Sequence, residues 1–188
     1  MANQQIHRKH CKRYNHPNNA NELTFSCYKG MKLLKSERAC SNLAESINNA
    51  CEKLDFSVIA YVFMPTHAHL LVATRKNEYS ISEFLKSVKQ SVARKEINYF
   101  RKNKQEMLKY MATGQKHDKN RFWQDGGGYD RNIVRSETLK HSINYIHNNP
   151  VRAELVEDAR EWKWSSAGFW LENRQGVIPI DISWLSPW

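Results

Sequence analysis

The chain lacks the features of a membrane or secreted protein. It has no apolar run near the ~18 residues that a membrane-spanning helix needs, and its polar opening residues do not form a signal peptide. Its four cysteines, Cys11, Cys27, Cys40 and Cys51, form no C-x-x-C pair and no zinc-ribbon spacing. We therefore expect a cytoplasmic protein whose cysteines are reduced thiols.

Other absences narrow the function. No internal repeat is visible, and the glycine run at 126–128 lacks the spacing and the lysine of a Walker or dinucleotide-binding loop. His7, His10, Cys11 and His16 could be imagined as a zinc site, but their spacing matches no common ligand pattern. Residues 1–20 are therefore predicted to be a flexible basic arm.

Acidic residues are scarce relative to basic ones. The 188 residues include 19 Asp and Glu against 29 Lys and Arg, which gives a formal net charge of +10, while the hydrophobic content of 40% is ordinary for a globular protein. Such an excess favours a polyanionic partner, usually nucleic acid, over a basic surface kept only for solubility. The basic residues are densest along 86–109, which indicates a surface that follows phosphates.

Apolar periodicity predicts one mixed domain. Four-residue steps indicate helices, and β-rich runs bounded by turns indicate strands. Ser80 and Glu83 have the spacing of a capping box, Ser136 is a candidate cap, and Pro150 is expected to end the last helix. The predicted elements are β at 23–28, α at 36–54, β at 58–63 and 67–72, α from Ser80, β at 121–124, and α from Ser136 to 148–150.

This β-α-β-β-α-β-α order predicts an α+β fold of the ferredoxin-like kind, with a mainly antiparallel sheet. Helices would pack on one face of the sheet, and the other face could hold a site or a partner. We expect the main domain to span 21–160 and an aromatic-rich tail, 161–188, to pack on it.

Two histidines one residue apart, His67 and His69, follow the Pro65-Thr66 turn. In a strand they project from the same face while Ala68 points the other way. Two imidazoles held on a rigid sheet are half of a metal site. Taken alone, the triplet is more typical of polar residues on a solvated strand face.

The last predicted helix carries Tyr145 and Asn149 four residues apart, on one face. Ile143 and Ile146 point elsewhere, which leaves Tyr145 free to meet a polar group. By itself this tyrosine is more typical of a half-buried aromatic with a bonded hydroxyl.

The motifs together resemble a known family. Residues 61–71 (YVFMPTHAHLL) resemble the His-hydrophobic-His (HUH) motif of single-tyrosine transposases, and residues 145–152 (YIHNNPVR) resemble the tyrosine helix of REP-associated tyrosine transposases. Residues 121–124, 127–132 and 162–166 are similar to that family in the same order. Ala68 is smaller than the usual middle residue of the motif.

The resemblance implies a metal-dependent single-stranded DNA endonuclease and strand transferase that acts at or near hairpins such as REP-like palindromes. It implies Tyr145 as the nucleophile that forms a 5′-phosphotyrosine, and His67, His69 and Asn149 as ligands of Mg²⁺ or Mn²⁺, with His147 and Asn148 as rival donors to Asn149. It also implies a cytoplasmic, nucleoid-associated monomer or homodimer without a membrane partner. Candidate DNA-binding residues are Lys86, Lys89, Arg94, Arg131, Arg152, Trp123, Phe122 and Tyr129.

Other functions stay open at this point. The same fold could start replication or mobilise DNA as a relaxase, although the short chain carries no helicase or primase-like part. It could be a domesticated DNA- or RNA-binding protein without catalysis, which the intact His67, His69 and Tyr145 argue against. A zinc hydrolase would need a further ligand and would leave Tyr145 dispensable.

Overall fold

A computed structural model describes residues 19–116, 119–126, 128 and 130–183. The imagined zinc ligands of the N-terminal arm and the candidate DNA-binding residue Tyr129 therefore lie outside the described residues. The elements are β1 (Ala20–Ser26), α1 (Glu37–Leu54), β2 (Ser57–Met64), β3 (His67–Ala73), α2 (Ile81–Asn103), α3 (Met107–Tyr110), β4 (Asp130–Ile133), α4 (Ser136–Arg152) and α5 (Ala167–Glu172), with 3₁₀ turns at Tyr28–Gly30, Leu33–Lys35 and Ala159–Glu161.

Four strands form one antiparallel sheet in the order β2-β3-β1-β4. The α+β, ferredoxin-like prediction is confirmed, because this is the strand order and direction that a split β-α-β repeat produces. The hairpin at 65–66 is as predicted, and the Ser80 hydroxyl accepts the Glu83 N–H at 3.1 Å to open α2.

Helices cover both faces of the sheet rather than one. On one face, α1 and α2 bury Leu43, Phe84 and Val88 against alternate residues of β1 and β3, such as Leu23 and Leu70. On the other face, Leu139, Ile143 and Ile146 of α4 pack against Ile59, Leu71 and Ala73. The second face is therefore shared between a smaller core and polar strand residues, and this is where a site can form.

The predicted strand at 121–124 is wrong, and the fourth strand is β4 instead. Trp123 forms only an isolated bridge with Cys27, just past the end of β1. The chain then crosses over β1 at Gly128, where a Cβ atom would lie 1.5 Å from the Thr24 carbonyl oxygen. Glycine is required for this close approach, and it lets β4 pair with the first half of β1.

Both predicted ends of α4 need correction. Ser136 is the first helical residue and Arg135 is the N-cap, with no side-chain capping bond. At the other end the helix continues past Pro150 to Arg152. Pro150 removes the N–H that Ile146 O would accept, and the Asn149 amide nitrogen lies 3.4 Å from that oxygen in its place.

The aromatic segment after α4 covers the outer edge of β2. The Trp162 indole donates to Phe63 O and the Trp170 indole donates to Ile59 O, each at 2.9 Å. Phe63 N–H donates to Trp164 O at 2.8 Å, and Ser166 N–H donates to Tyr61 O at 3.0 Å. This pairing protects an edge strand that would otherwise present unpaired backbone groups.

Cys27, Cys40 and Cys51 are free thiols, and burial raises the pKa of each to about 12, which makes them poor nucleophiles. In the described part of the chain, none of the helices is both long and apolar enough to cross a membrane.

A buried ion pair joins α1 to α2 and gives a test of the fold. Glu96 is fully buried and accepts from Arg38 at 2.6 and 3.2 Å and from Asn42 at 2.7 Å. Arg38→Ala leaves this carboxylate buried without its counter-charge, so we expect the free energy of unfolding in urea to fall by about 3 kcal/mol. The matched control is Lys95→Ala, which removes a more exposed pair with Glu45 between the same helices and should cost about 0.5 kcal/mol or less. Equal losses would contradict this prediction.

Candidate functional site

Strand register places the two histidines on the face that α4 covers. His69 lies opposite Thr24 and His67 opposite Ser26 in the β1–β3 pairing. Leu71 and Ala73, further along the same side of β3, contact the α4 core, whereas Ala68 lies in the core of the other face. The predicted side-by-side arrangement is therefore present: the two imidazole centroids are 4.9 Å apart and nearly perpendicular, at 83°.

Each imidazole is held by a threonine hydroxyl through its Nδ1 atom. The Thr24 hydroxyl lies 2.8 Å from His69 Nδ1, and the Thr66 hydroxyl lies 2.9 Å from His67 Nδ1. Within the described residues neither Nε2 atom has a hydrogen-bond partner. This arrangement fixes the orientation of both rings and leaves Nε2 of each available to an incoming ligand.

Burial keeps both rings in the neutral form that binds metals. It lowers the pKa of His67, and it lowers the pKa of His69 to about 4 together with the charge that His67 would carry. A neutral imidazole has a lone pair on the nitrogen that carries no proton. The pair is therefore ready to coordinate a cation near neutral pH.

Tyr145 of α4 stands beside the histidines in the same chain. Its ring centroid is 5.8 Å from that of His69, with the rings perpendicular at 89°. The side chain is 43% exposed, and the Arg152 guanidinium carbon lies 5.0 Å from its ring centroid. The Tyr145 phenol therefore lies close to both the His69 imidazole and the Arg152 guanidinium, at the border with solvent.

The three predicted donors after Tyr145 point in different directions. The Asn149 amide nitrogen donates to Tyr145 O at 2.8 Å, so its oxygen is the atom left for a cation. The exposed Asn148 donates its amide nitrogen to Asn144 O. His147 is buried on the far side of the helix, with Nε2 at 2.8 Å from the Ser166 hydroxyl. This placement separates His147 from the site and keeps Asn149 on the helix face of Tyr145.

In the part of the chain that the structure describes, the histidine pair does not belong to a larger group of strong metal ligands. Among the described residues, no cluster of three or more His, Cys, Asp or Glu side chains could hold a metal ion. A cation at His67 and His69 would therefore be completed by an amide oxygen, by waters or by a ligand, which suits a hard ion such as Mg²⁺ or Mn²⁺ better than a structural zinc.

The remaining predicted DNA-binding residues fall into two groups on opposite faces of the sheet. Arg131 and Arg152 lie beside Tyr145. Lys86, Lys89 and Arg94 line a separate cavity of about 550 Å³ between α2 and residues 120–128. Trp123 and Phe122, which border that cavity, are buried and pack against each other with centroids 4.8 Å apart. Trp123 also donates its indole N–H to Lys89 O at 3.0 Å, so base stacking by these rings stays a prediction.

Sequence reasoning missed several residues of the site. Thr24 and Glu22 of β1, together with His141 and Ser142 of α4, line a cavity of about 630 Å³ that His69 and Tyr145 also line. The sequence offered one signal: Glu22 and Thr24 are polar residues that alternate with the apolar Leu23 and Phe25.

The buried His147 gives a test by pH. Burial lowers its pKa from 6.5 to about 4, so between these values the unfolded chain takes up a proton that the folded chain does not. Stability is therefore present above pH 6.5 and lost as the pH falls, by up to about 1.4 kcal/mol per pH unit. His147→Gln can still bond Ser166 but does not titrate. From about pH 8 to about pH 5, urea unfolding of wild type should lose about 2 kcal/mol more than that of the variant. Parallel pH profiles would contradict this.

Comparison with known proteins shows similarity in sequence and in fold. A relative from Haemophilus influenzae (strain ATCC 51907 / DSM 11121 / KW20 / Rd), provisionally named a REP-associated tyrosine transposase, is 28% identical over 160 residues, which are 79% of this chain and 83% of the relative. A solved structure described as a REP-associated tyrosine transposase bound to a REP hairpin superposes with a TM-score of 0.65 at 17% identity, covering 90% of each chain, and so shares the fold. Residues 22–149 match the family described as "Transposase IS200 like". Since the match includes the histidine strand, the tyrosine helix and more than half of the sequence, the chain belongs to the IS200-like transposase family.

Proposed function

We propose that this protein is a metal-dependent endonuclease and strand transferase for single-stranded DNA that acts at or near hairpins. The observation that carries the proposal is the 5.8 Å approach of the Tyr145 ring to His69 within one chain. A phenol beside a pair of neutral imidazoles is the arrangement needed for a tyrosine nucleophile next to a cation.

Mg²⁺ or Mn²⁺ fits the residues present. His67 and His69 would bind through Nε2, since Thr66 and Thr24 occupy the Nδ1 atoms. Asn149 would contribute its amide oxygen, since its nitrogen is bonded to Tyr145 O. The bound ion would neutralise charge on the scissile phosphate and favour the ionised phenol.

The chain's own residues carry the bond changes. The Tyr145 oxygen attacks phosphorus and loses its proton, a bond forms between them, and the bond from phosphorus to the 3′ oxygen breaks. The products are a 5′-phosphotyrosine and a free 3′-hydroxyl, so the phosphodiester energy is kept and a second 3′-hydroxyl can reverse the step. Arg152 and Arg131, beside Tyr145, would hold the flanking phosphates.

The proposed partner is a DNA strand with a hairpin. The solved relative with the same fold is bound to a REP hairpin, and the +10 charge of this chain favours a polyanion. The basic residues of α2 lie on the other face of the sheet from Tyr145, so a folded stem could bind there while its single-stranded flank reaches the site.

The test is a covalent adduct whose polarity is defined. Hairpin DNA with a single-stranded flank is incubated with the protein and Mn²⁺, labelled at either the 3′ or the 5′ end. We expect the 3′ label to appear in a protein band that survives SDS and the 5′ label to appear in a free fragment, with neither product in EDTA. Tight binding without cleavage would favour the silent DNA-binding alternative, and cleavage without an adduct would favour a hydrolase.

A further inference from the structure

The cavity beside Tyr145 is lined in part by a buried acidic side chain. It extends from His69 and Tyr145 toward the start of α4 at Thr138 and encloses about 630 Å³, enough for a nucleobase. Glu22 lies in this wall and is 6% exposed. A buried carboxylate is costly and repels phosphate, so its presence in a site for DNA needs a specific reason.

Glu22 is held in place and has an acceptor left over. The Ser142 hydroxyl donates to Oε2 at 2.9 Å. No hydrogen bond to Oε1 forms within the described part of the chain, and this atom is not among those sealed from solvent without a partner. Oε1 therefore faces the cavity. Glu22 also belongs to no cluster of potential metal ligands in the described residues.

Glu22 lies close to the groups proposed to react, since it lines the same cavity as His69 and Tyr145. Glu22 is two residues before Thr24, the hydrogen-bond partner of His69. Residues two apart in a strand lie on the same face and about 7 Å from each other. Ser142, which holds it, lies one helical turn before Tyr145. Arg131 pairs directly with Glu22 across the β1–β4 register and also borders the cavity, where it can meet a phosphate.

We propose that Glu22 determines specificity by accepting a hydrogen bond from the exocyclic amine of an unpaired base beside the scissile phosphate. An ionised carboxylate only accepts hydrogen bonds. Adenine, cytosine and guanine offer an exocyclic amine, whereas thymine has none, and its one ring N–H lies between two carbonyl oxygens that the carboxylate repels. This inference rests on the proposed function, since it takes single-stranded DNA as the substrate.

The experiment measures base preference by binding, apart from cleavage. Tyr145→Phe protein with Mn²⁺ is titrated against hairpin oligonucleotides in which each position of the single-stranded flank is varied in turn through the four bases. At one position we expect amine-bearing bases to bind about tenfold more tightly than thymine. Adding Glu22→Gln, whose amide can also donate to a carbonyl, should reduce this ratio to about twofold or less, while Glu157→Gln, at an exposed site, should leave it unchanged.

A ratio of about one at every position would overturn the inference, and so would a Glu22→Gln variant that weakens binding of all four bases equally. If that variant does not fold, Ser142→Ala keeps the carboxylate but removes its tether and must lower the ratio. The two proposals fail separately: wild type that forms no adduct while the preference persists refutes the catalytic proposal alone, and adduct formation without preference refutes this one alone.

Discussion

Tyr145→Phe should abolish the covalent protein–DNA adduct, with a loss of at least about 1,000-fold in the rate of cleavage. The substitution removes one oxygen atom and keeps the ring that contacts His69 at 5.8 Å and Arg152 at 5.0 Å, so folding and the shape of the cavity should be retained. The rate is measured under single-turnover conditions with 3′-labelled hairpin DNA and Mn²⁺. Binding of the same DNA should change by less than about threefold, because the proposed nucleophile acts only as the reaction proceeds.

The matched control is Tyr110→Phe. Tyr110 is 64% exposed on α3, and its loss should leave both cleavage and binding at the wild-type level. An adduct that persists in Tyr145→Phe would mean that another group attacks the phosphate. Mass spectrometry of the wild-type adduct identifies the modified residue in either case, so the assignment does not depend on loss of activity alone.

Local sequence rules predicted the parts of the site that depend on neighbouring residues. Pro65 and Thr66 made a two-residue turn, and alternation then placed His67 and His69 on one face. The Ser80–Glu83 capping bond is equally local. The pairing of Tyr145 with Asn149 follows from the helical repeat alone.

Features that depend on distant pairing were not predictable in this way. The bond from Thr24 to His69 joins residues 45 positions apart, and a strand can shift register by two without changing its apolar face. β4 is four residues long and largely polar, so its composition does not predict a strand. It is a strand because it pairs with β1. The aromatic residues 122–123 have strong β propensity, yet they are buried beside α2 and pair only at an isolated bridge.

The orientation of His147 was also not predictable from local sequence. Two positions after Tyr145, it was a rival to Asn149 for the metal, and spacing alone could not separate them. The structure turns it toward Ser166, in the segment that covers β2, and leaves Asn149 on the side of Tyr145. The orientation of His147 therefore depends on how this later segment packs, which local spacing does not predict.

His69→Gln should lower the rate of adduct formation about 1,000-fold, because it replaces a proposed imidazole ligand whose orientation Thr24 fixes at 2.8 Å. Glutamine is chosen because His69 is 6% exposed and a smaller residue would leave a cavity. Thr24→Val removes only the bond to Nδ1, so we expect a smaller loss, of about 10- to 100-fold. Raising the Mn²⁺ concentration should restore part of the activity of Thr24→Val and less of that of His69→Gln.

His69→Gln also tests whether the site is complete within one chain. Tyr145 and His69 of one chain are in contact, so each chain should act alone. Mixing inactive Tyr145→Phe with inactive His69→Gln should then give no adduct, because neither chain holds an intact pair. If tyrosine instead acted in the site of a partner chain, the mixture would regain activity, since one of its two composite sites would combine an intact Tyr145 with an intact His69. Recovery to about a quarter of the wild-type rate or more would overturn the single-chain site. It would also require that α4 leave the position in which it contacts His69 here.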